Sequence, residues 1–350
     1  MNISELQISA QPALDLEAPF RRTSGWIGAD GNYSVPLGDG RIAWLFSDTF
    51  VGTVKDGKRI DTVMINNSVG IQNAGSSEPV QFYYGSTPDG GHSSFVIPDE
   101  GEGYFWLFDG VHTNNGLYFF LLRVKTIEVT SGFPFETIGL SLAHVPNPED
   151  TPDKWKIEQR RVPFCRFGKE GTISYASATM KDGGYVYMYG IDSAAREGVR
   201  VNNMIVARVP EDQYGDFGAW RFLSGGEWGT DWEHADGLFP GVATEYSVSW
   251  LPAVEQYAAI YTVGITGIIE LRLSPTPVGP WTEPVRVFEC PDKHWHKEAI
   301  SYAGKAHPEL ATAPNELILT YAANSMCFDD LMNDARMYWP RFVRVRVDRG

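Results

Sequence analysis

Cysteine is scarce in this chain: three residues in 350, Cys165, Cys290 and Cys327. An odd count with no CxxC and no Cys/His cluster argues against a disulfide framework and against a zinc site. Basic residues are also outnumbered, 29 Lys and Arg against 44 Asp and Glu, for a net charge of −15. Nucleic acid and anionic membranes are therefore not expected partners, whereas a neutral sugar polymer is not excluded. No apolar run approaches the roughly 18 residues that a membrane-spanning helix needs. The chain has no GxSxG elbow, no HExxH, no P-loop and no redox-cofactor fingerprint, so neither cofactor nor metal is expected. An Asp-box of the SxDxGxTW type is missing too, which weakens a sialidase reading. The N-terminus, MNISELQISAQPALDLEAPF, lacks a basic n-region and an apolar h-region. A chain that begins so is expected to stay inside the cell unless a signal has been removed.

Turn formers and aromatics are plentiful: 36 Gly, 22 Pro, 11 Trp, 16 Tyr and 19 Phe. That mixture favours short strands and many turns over helices. One pattern recurs, an alternating aromatic and aliphatic strand ending in a small or acidic residue. It appears as IAWLFSDTF (42–50), YFWLFDGVH (104–112), YVYMYGIDS (185–193), YAAIYTVGI (257–265) and LILTYAANS (317–325). A second β-rich run follows each copy. Repetition at this period suggests a propeller, each unit an antiparallel sheet of about four strands. The expectation is an all-β, five-bladed β-propeller forming a single domain over 1–350, with a β-sandwich as the competitor. Its blades would lie at roughly 25–85, 86–160, 170–225, 240–290 and 300–350, and the N-terminal segment would pack beside RFVRVRV near the C-terminus. The only helix candidate is MCFDDLMNDARMY (326–338).

The segment GADGNYSVPLGDGRIAWLFSDTF reads as a hairpin turning at Gly38-Asp39-Gly40. Gly and Asp tolerate the positive φ angles that tight hairpins need. Asp39 is the midpoint between Asp30 and Asp48, so the two acids should face each other, with Cβ atoms about 4.5–5.5 Å apart. Like charges that close are destabilising unless something else needs them, and paired carboxylates are what a glycosidase uses.

Other polar residues collect at strand ends whose middles are apolar. Asp109 and His112 follow the second aromatic strand, Tyr175 belongs to the third unit, Glu245 opens the fourth, and His307 and Asn324 lie in the fifth. Each has a plainer reading. A strand-end Asp commonly caps a turn, Glu245 can be a buried structural acid, His307 a core histidine, and Asp109 and His112 ordinary loop residues. Asn66 and Asn67 either end a loop or present an amide to a site. Trp232, in the loop WGTDWEHAD, is a candidate stacking platform. Together they suggest a site in which Asp30 activates water, Asp48 protonates the leaving oxygen, and Asn67, His112, His307 and Asn324 hold sugar hydroxyls.

At GADGNYSVPLGDGRIAWLFSDTFVG with MINNSVGIQ, and again at AGKAHPEL with ELILTYAANS, the chain resembles a family of bacterial five-bladed β-propeller proteins long described as of unknown function. Some of its members are assigned as endo-D-arabinanases. The resemblance spans the chain and implies an inverting glycoside hydrolase whose two first-blade acids match Asp30 and Asp48. Similarity to the wider set of five-bladed arabinanases and xylosidases implies instead Asp30 as base and Glu245 as acid. The loops at 50–62, 85–100 and 225–240 would shape the cleft. The expected partner is a carbohydrate and the expected state a monomer. Non-catalytic glycan binding and a protein-interaction scaffold are the rival functions.

Overall fold

The structure, a computed structural model, describes residues 6–128, 133–193, 195–196 and 199–350. It is all-β, and the only α-helices among the described residues are Leu14–Glu17 and Phe328–Asn333. The second of these lies inside the stretch singled out as a helix candidate.

Five antiparallel sheets carry the architecture. The first holds Tyr33–Pro36, Arg41–Phe46, Ser68–Asn73 and Gln81–Tyr83. The second holds Tyr104–Thr113, Gly116–Thr126, Phe135–Val145 and Glu158–Arg161. The third has Ile173–Asp182, Tyr185–Asp192, Asn203–Pro210, Arg221–Ser224 and Glu227–Gly229. The fourth has Tyr246–Leu251, Gln256–Thr262, Ile268–Ser274 and Val285–Glu289. The fifth combines Ala299–Ala306, Glu316–Ser325 and Pro340–Arg349 with the N-terminal strand Leu6–Pro12, paired from Leu6 opposite Arg349 to Pro12 opposite Val343. A further sheet of Ser24–Ala29, Thr49–Lys55 and Lys58–Ile65 extends the first one.

The second strands read as nearly unbroken apolar runs because they are buried on both faces. Four apolar clusters fill the spaces between sheets. One joins the first, second and third sheets, around Leu45, Leu107, Phe120 and Met188. Another joins the third and fourth, around Tyr189 and Tyr261. A third joins the fourth and fifth, around Ile260 and Leu319. The last joins the fifth and first, around Trp44, Phe46, Ile318 and Phe342. The leading strand of each sheet packs against the leading strand of the next from the first sheet to the fifth. Fifth and first meet where the Lys305 ammonium donates to the Gly31 carbonyl.

One phase of the repeat needs correcting. IAWLF, YVYMY, YAAIY and LILTY are second strands of their sheets, but YFWLFDGVH is a leading strand, and its second strand is Gly116–Thr126. AWLFSD and FWLFDG look alike because both are buried aromatic strands, not because they are equivalent. The consequence is large: the ends of leading and second strands point to opposite sides of the molecule.

Candidate active site

The hairpin register is the expected one. Tyr33 pairs with Leu45, Ala29 with Thr49, and the Asp30 amide donates to the Asp48 carbonyl at 3.2 Å. Gly38 and Gly40 take φ of 81° and 89° at the turn. The hairpin is interrupted at the acids, where Gly31 and Asn32 adopt φ of 82° and 56°. A Cβ on Gly31 would lie 2.9 Å from the Ser47 amide nitrogen, so only glycine fits. This break ends one sheet, begins its extension, and leaves Asp30 and Asp48 side by side at the junction.

The two carboxyls have different surroundings. Asp30 Oδ2 accepts from the Tyr302 hydroxyl at 2.5 Å, and the Tyr338 hydroxyl also donates to this carboxyl. Oδ1 is buried with no hydrogen-bond partner. Burial, then Asp48, then Glu245 push Asp30 up to about 8. Asp48 Oδ1 accepts from Trp106 Nε1 at 2.8 Å and Asn66 Nδ2 at 3.3 Å. Burial raises Asp48 to about 6, and those two donors hold it below its neighbour. At neutral pH the pair shares a proton that resides on Asp30.

Lys305 sits behind this pair with its side chain 1% exposed. Its ammonium lies 3.3 Å from Glu245 Oε1 and 4.2 Å from the centre of the Tyr33 ring. A bulge between Tyr302 and Lys305, with Ala303 at φ 58°, turns the lysine inward. Burial pushes its pKa down, while Glu245, Asp109 and Asp30 support its charge. Asp109 is turned inward by another bulge, between Leu107 and Gly110. It accepts from the Thr179 amide at 2.6 Å and the Gly110 amide at 2.9 Å, and burial raises it to about 6.

The remaining candidates separate into groups. Asn324 donates to the Tyr302 hydroxyl at 3.0 Å and so stands one residue behind Asp30. Tyr175 is fully buried, its hydroxyl donating to the Trp232 carbonyl at 2.7 Å, and Trp232 packs partly buried against that core. Asn67 is fully buried, and its amide is spent on Val96 and Phe105: Nδ2 donates to both carbonyls at 2.9 and 2.8 Å, and Oδ1 accepts from the Val96 amide at 2.7 Å. It presents nothing to the acids, and its neighbour Asn66 reaches Asp48 instead. His307 is 1% exposed, bonded to Thr320 Oγ1 at 2.6 Å and Ser34 Oγ at 2.5 Å, and burial drives it well below its ordinary pKa. It holds two sheets together.

His112 lies on the other side of the molecule, beside Gly38 in the turn. Its strand runs in the direction opposite to the one its resemblance to AWLFSD implied. The strand Tyr33–Pro36 runs from the acid junction to that turn, so the acids and His112 stand at its opposite ends. A cavity of about 440 Å³ opens there, lined among others by Pro36, Asp109, His112, Asp182, Trp250 and Glu309. None of Asp30, Asp48 and Glu245 lines it, and its half-buried acids Asp109 and Glu309 are already bonded, Glu309 by Ser34.

Tyr302, Tyr338, Trp106 and Lys305 were missed from sequence. So was Asn32, fully buried with both amide atoms unpartnered. Only Asn32 had a local signal, standing between Asp30 and the strand.

Among solved structures, a suspected hydrolase from Bacteroides ovatus superposes with a TM-score of 0.77 at 19% identity, covering 97% of this chain and 90% of that one. A GH43_1 enzyme from Xanthomonas citri, complexed with xylotriose, superposes with a TM-score of 0.52 at 15% identity, covering 96% and 93%. At these identities the likeness is one of fold. No curated protein matches the chain. A family model described as "Domain of unknown function (DUF5005)" matches residues 14–347.

Proposed function

The chain belongs to the DUF5005 family, and we propose that it is a glycoside hydrolase in which Asp30 is the general acid and Asp48 the general base. The observation that carries this reading is the acid pair itself. Two half-buried carboxyls are held in cross-strand register, and one of them keeps an oxygen free of protein partners. Two like acids so placed destabilise the fold, and their split pKa values suit one to give a proton and the other to take one. Asp48 removes a proton from water as the water oxygen bonds to the anomeric carbon. Asp30 protonates the departing glycosidic oxygen as its bond to that carbon breaks. Glu245, fixed by Lys305, keeps the proton on Asp30 by its field. Inversion and an arabinofuranose-containing substrate follow from the family resemblance alone.

The architecture that supports this site is a closed five-bladed propeller. Five sheets, an apolar cluster at each junction including fifth to first, and an N-terminal strand completing the last sheet all support that reading. The protein acts as a monomer on a carbohydrate. The test is a screen of wild type, Asp30→Asn and Asp48→Asn against furanose and pyranose polysaccharides and simple glycosides. Sugar release by wild type that both substitutions abolish on unactivated substrates supports the pair. Release that survives both removes it.

A further inference from the structure

The cavity of about 440 Å³ beside His112 takes part in no step of the proposed hydrolysis, yet all five sheets build it. Four leading strands bring in their last or next-to-last residues, Pro36, His112, Asp182 and Trp250, and the turn after the fifth brings in Glu309. Its volume falls within the roughly 300–1,000 Å³ of small-molecule sites.

Two features of its wall are left without a protein partner. Ser249 is 4% exposed and lines the cavity, and its Oγ makes no hydrogen bond. A buried hydroxyl left unbonded costs free energy. Ser247, two residues earlier on the same strand, shows the satisfied alternative, its Oγ accepting from the Ala306 amide at 2.7 Å. The second feature is Trp250, 43% exposed. Its indole is held in place: it packs edge-on against Tyr257, its cross-strand partner, with ring centres 4.9 Å apart, and the Tyr257 hydroxyl bonds to Asp182. A second hollow of about 380 Å³ meets the cavity at Trp250 and Pro308, which line both. Trp250 is therefore a fixed aromatic surface between two hollows.

The wall chemistry selects against a charged ligand. Asp109, Asp182 and Glu309 line the cavity together with Lys181 and Lys305. Neither lysine is free. Lys181 donates to Glu211 at 3.0 Å and to the His112 carbonyl at 3.1 Å, and Lys305 is held by Glu245 and Gly31. Burial raises Glu309 to about 7, while burial and Lys181 lower His112. At neutral pH the imidazole is thus uncharged and the Glu309 carboxyl partly protonated. An anion would meet three carboxyls and no spare cation, and a cation would meet two ammonium groups. A hydroxyl both donates and accepts, which suits a neutral imidazole, a partly protonated carboxyl and the unbonded Ser249 hydroxyl.

We propose that this cavity is a second carbohydrate site, on the side of the molecule opposite the acid pair, and that it holds a short neutral oligosaccharide with one ring on Trp250 and its ends in the two hollows. The apolar face of a sugar ring covers the indole, and a sugar hydroxyl supplies the bond that Ser249 lacks. The site binds without chemistry, so it does not rest on the glycosidase reading.

The experiment is titration calorimetry with mono-, di- and trisaccharides of neutral pentoses and hexoses, and with glucuronic acid and tetramethylammonium as charged probes. The proteins are Asp30→Asn, so that no probe is consumed, and the same protein carrying Trp250→Ala, Trp250→Phe or Ser249→Ala. Trp250 is close to half in solvent and the Ser249 hydroxyl is unbonded, so none of these changes should prevent folding; Ser249→Ala should leave Tm equal or higher. The expected result is a di- or trisaccharide that binds more tightly than its monosaccharide. Its Kd should rise on the order of tenfold in Trp250→Ala, from the indole surface returned to water, and far less in Trp250→Phe. Ser249→Ala should weaken it too, although the fold loses no stability. Absence of saccharide binding, binding that Trp250→Ala leaves intact, or tighter binding of either charged probe overturns the proposal. Hydrolysis is followed separately in wild type. Binding that depends on Trp250 in a protein that hydrolyses nothing keeps this site and removes the glycosidase reading; hydrolysis without such binding does the reverse.

Discussion

Replacing Asp30 by Asn should stabilise the protein, and by more as the pH rises. Burial, Asp48 and Glu245 push this carboxyl up to about 8 from an ordinary 3.8. Below about pH 4 both folded and unfolded chains hold the proton, and the group contributes nothing. As the pH climbs, the unfolded chain ionises first and is favoured; above about pH 8 the folded state has lost its proton too and the full penalty is present. Between those limits each pH step adds about 1.4 kcal/mol. From about pH 5 to about pH 8.5 a single such group accumulates roughly 4 kcal/mol, and sharing the proton with Asp48 spreads this to about 2–4 kcal/mol. Asn retains an acceptor for the Tyr302 hydroxyl, so packing is preserved. With about 2.1 cal/mol/K of unfolding entropy per residue, a chain this long gives about 0.7 kcal/mol per degree, and the Tm gap should widen by about 3–6 °C. Calorimetry of both proteins at the two pH values measures it. A gap that does not change with pH, or a variant less stable than wild type at the higher pH, refutes the electrostatic account.

Trp106→Phe removes the indole donor from Asp48, a charge-assisted bond of about 1.5–3 kcal/mol, so the acid limb of the activity profile should move to higher pH. Lys305→Met strips Glu245 of its partner and should destabilise the fold by about 3 kcal/mol in urea unfolding; it should also lower activity while further raising Asp30 and Asp109, because the same cation supports both ionised acids. Asn67→Ala leaves the Val96 amide and two carbonyls unbonded and should lower stability by about 2 kcal/mol. If Asn67 instead held substrate, KM would rise with stability unchanged.

The acid pair was legible because it depends only on local chain geometry. A strand period of two and a Gly-Asp-Gly turn suffice to place Asp30 opposite Asp48. What surrounds the pair was not, since Tyr302 and Lys305 reach it across 272 and 274 residues of sequence, and no local pattern encodes which sheet will pack beside the first. The misplacement of His112 has a different origin. Buried aromatic strands look alike whether they lead a sheet or stand second in it, so FWLFDG was aligned one strand out of phase, and its polar end was assigned to the wrong side. Asn67 was misread because a strand-end amide looks the same whether it faces a ligand or clamps two backbones. Trp44 and Phe342 packed around the His307 ring leave that residue in the core, the plainer of the two roles its sequence allowed.

The most direct test of the acid–base assignment is the pH dependence of kcat/KM on the best glycoside found, in wild type and in Asp30→Asn. Asp48 at about 6 and Asp30 at about 8 predict a bell with limbs near those values. In Asp30→Asn, an aryl glycoside whose leaving group needs no protonation should still be cleaved, with the alkaline limb gone. A wild-type profile flat across that range, or an alkaline limb that persists in Asp30→Asn, would contradict the assignment of Asp30 as the proton donor.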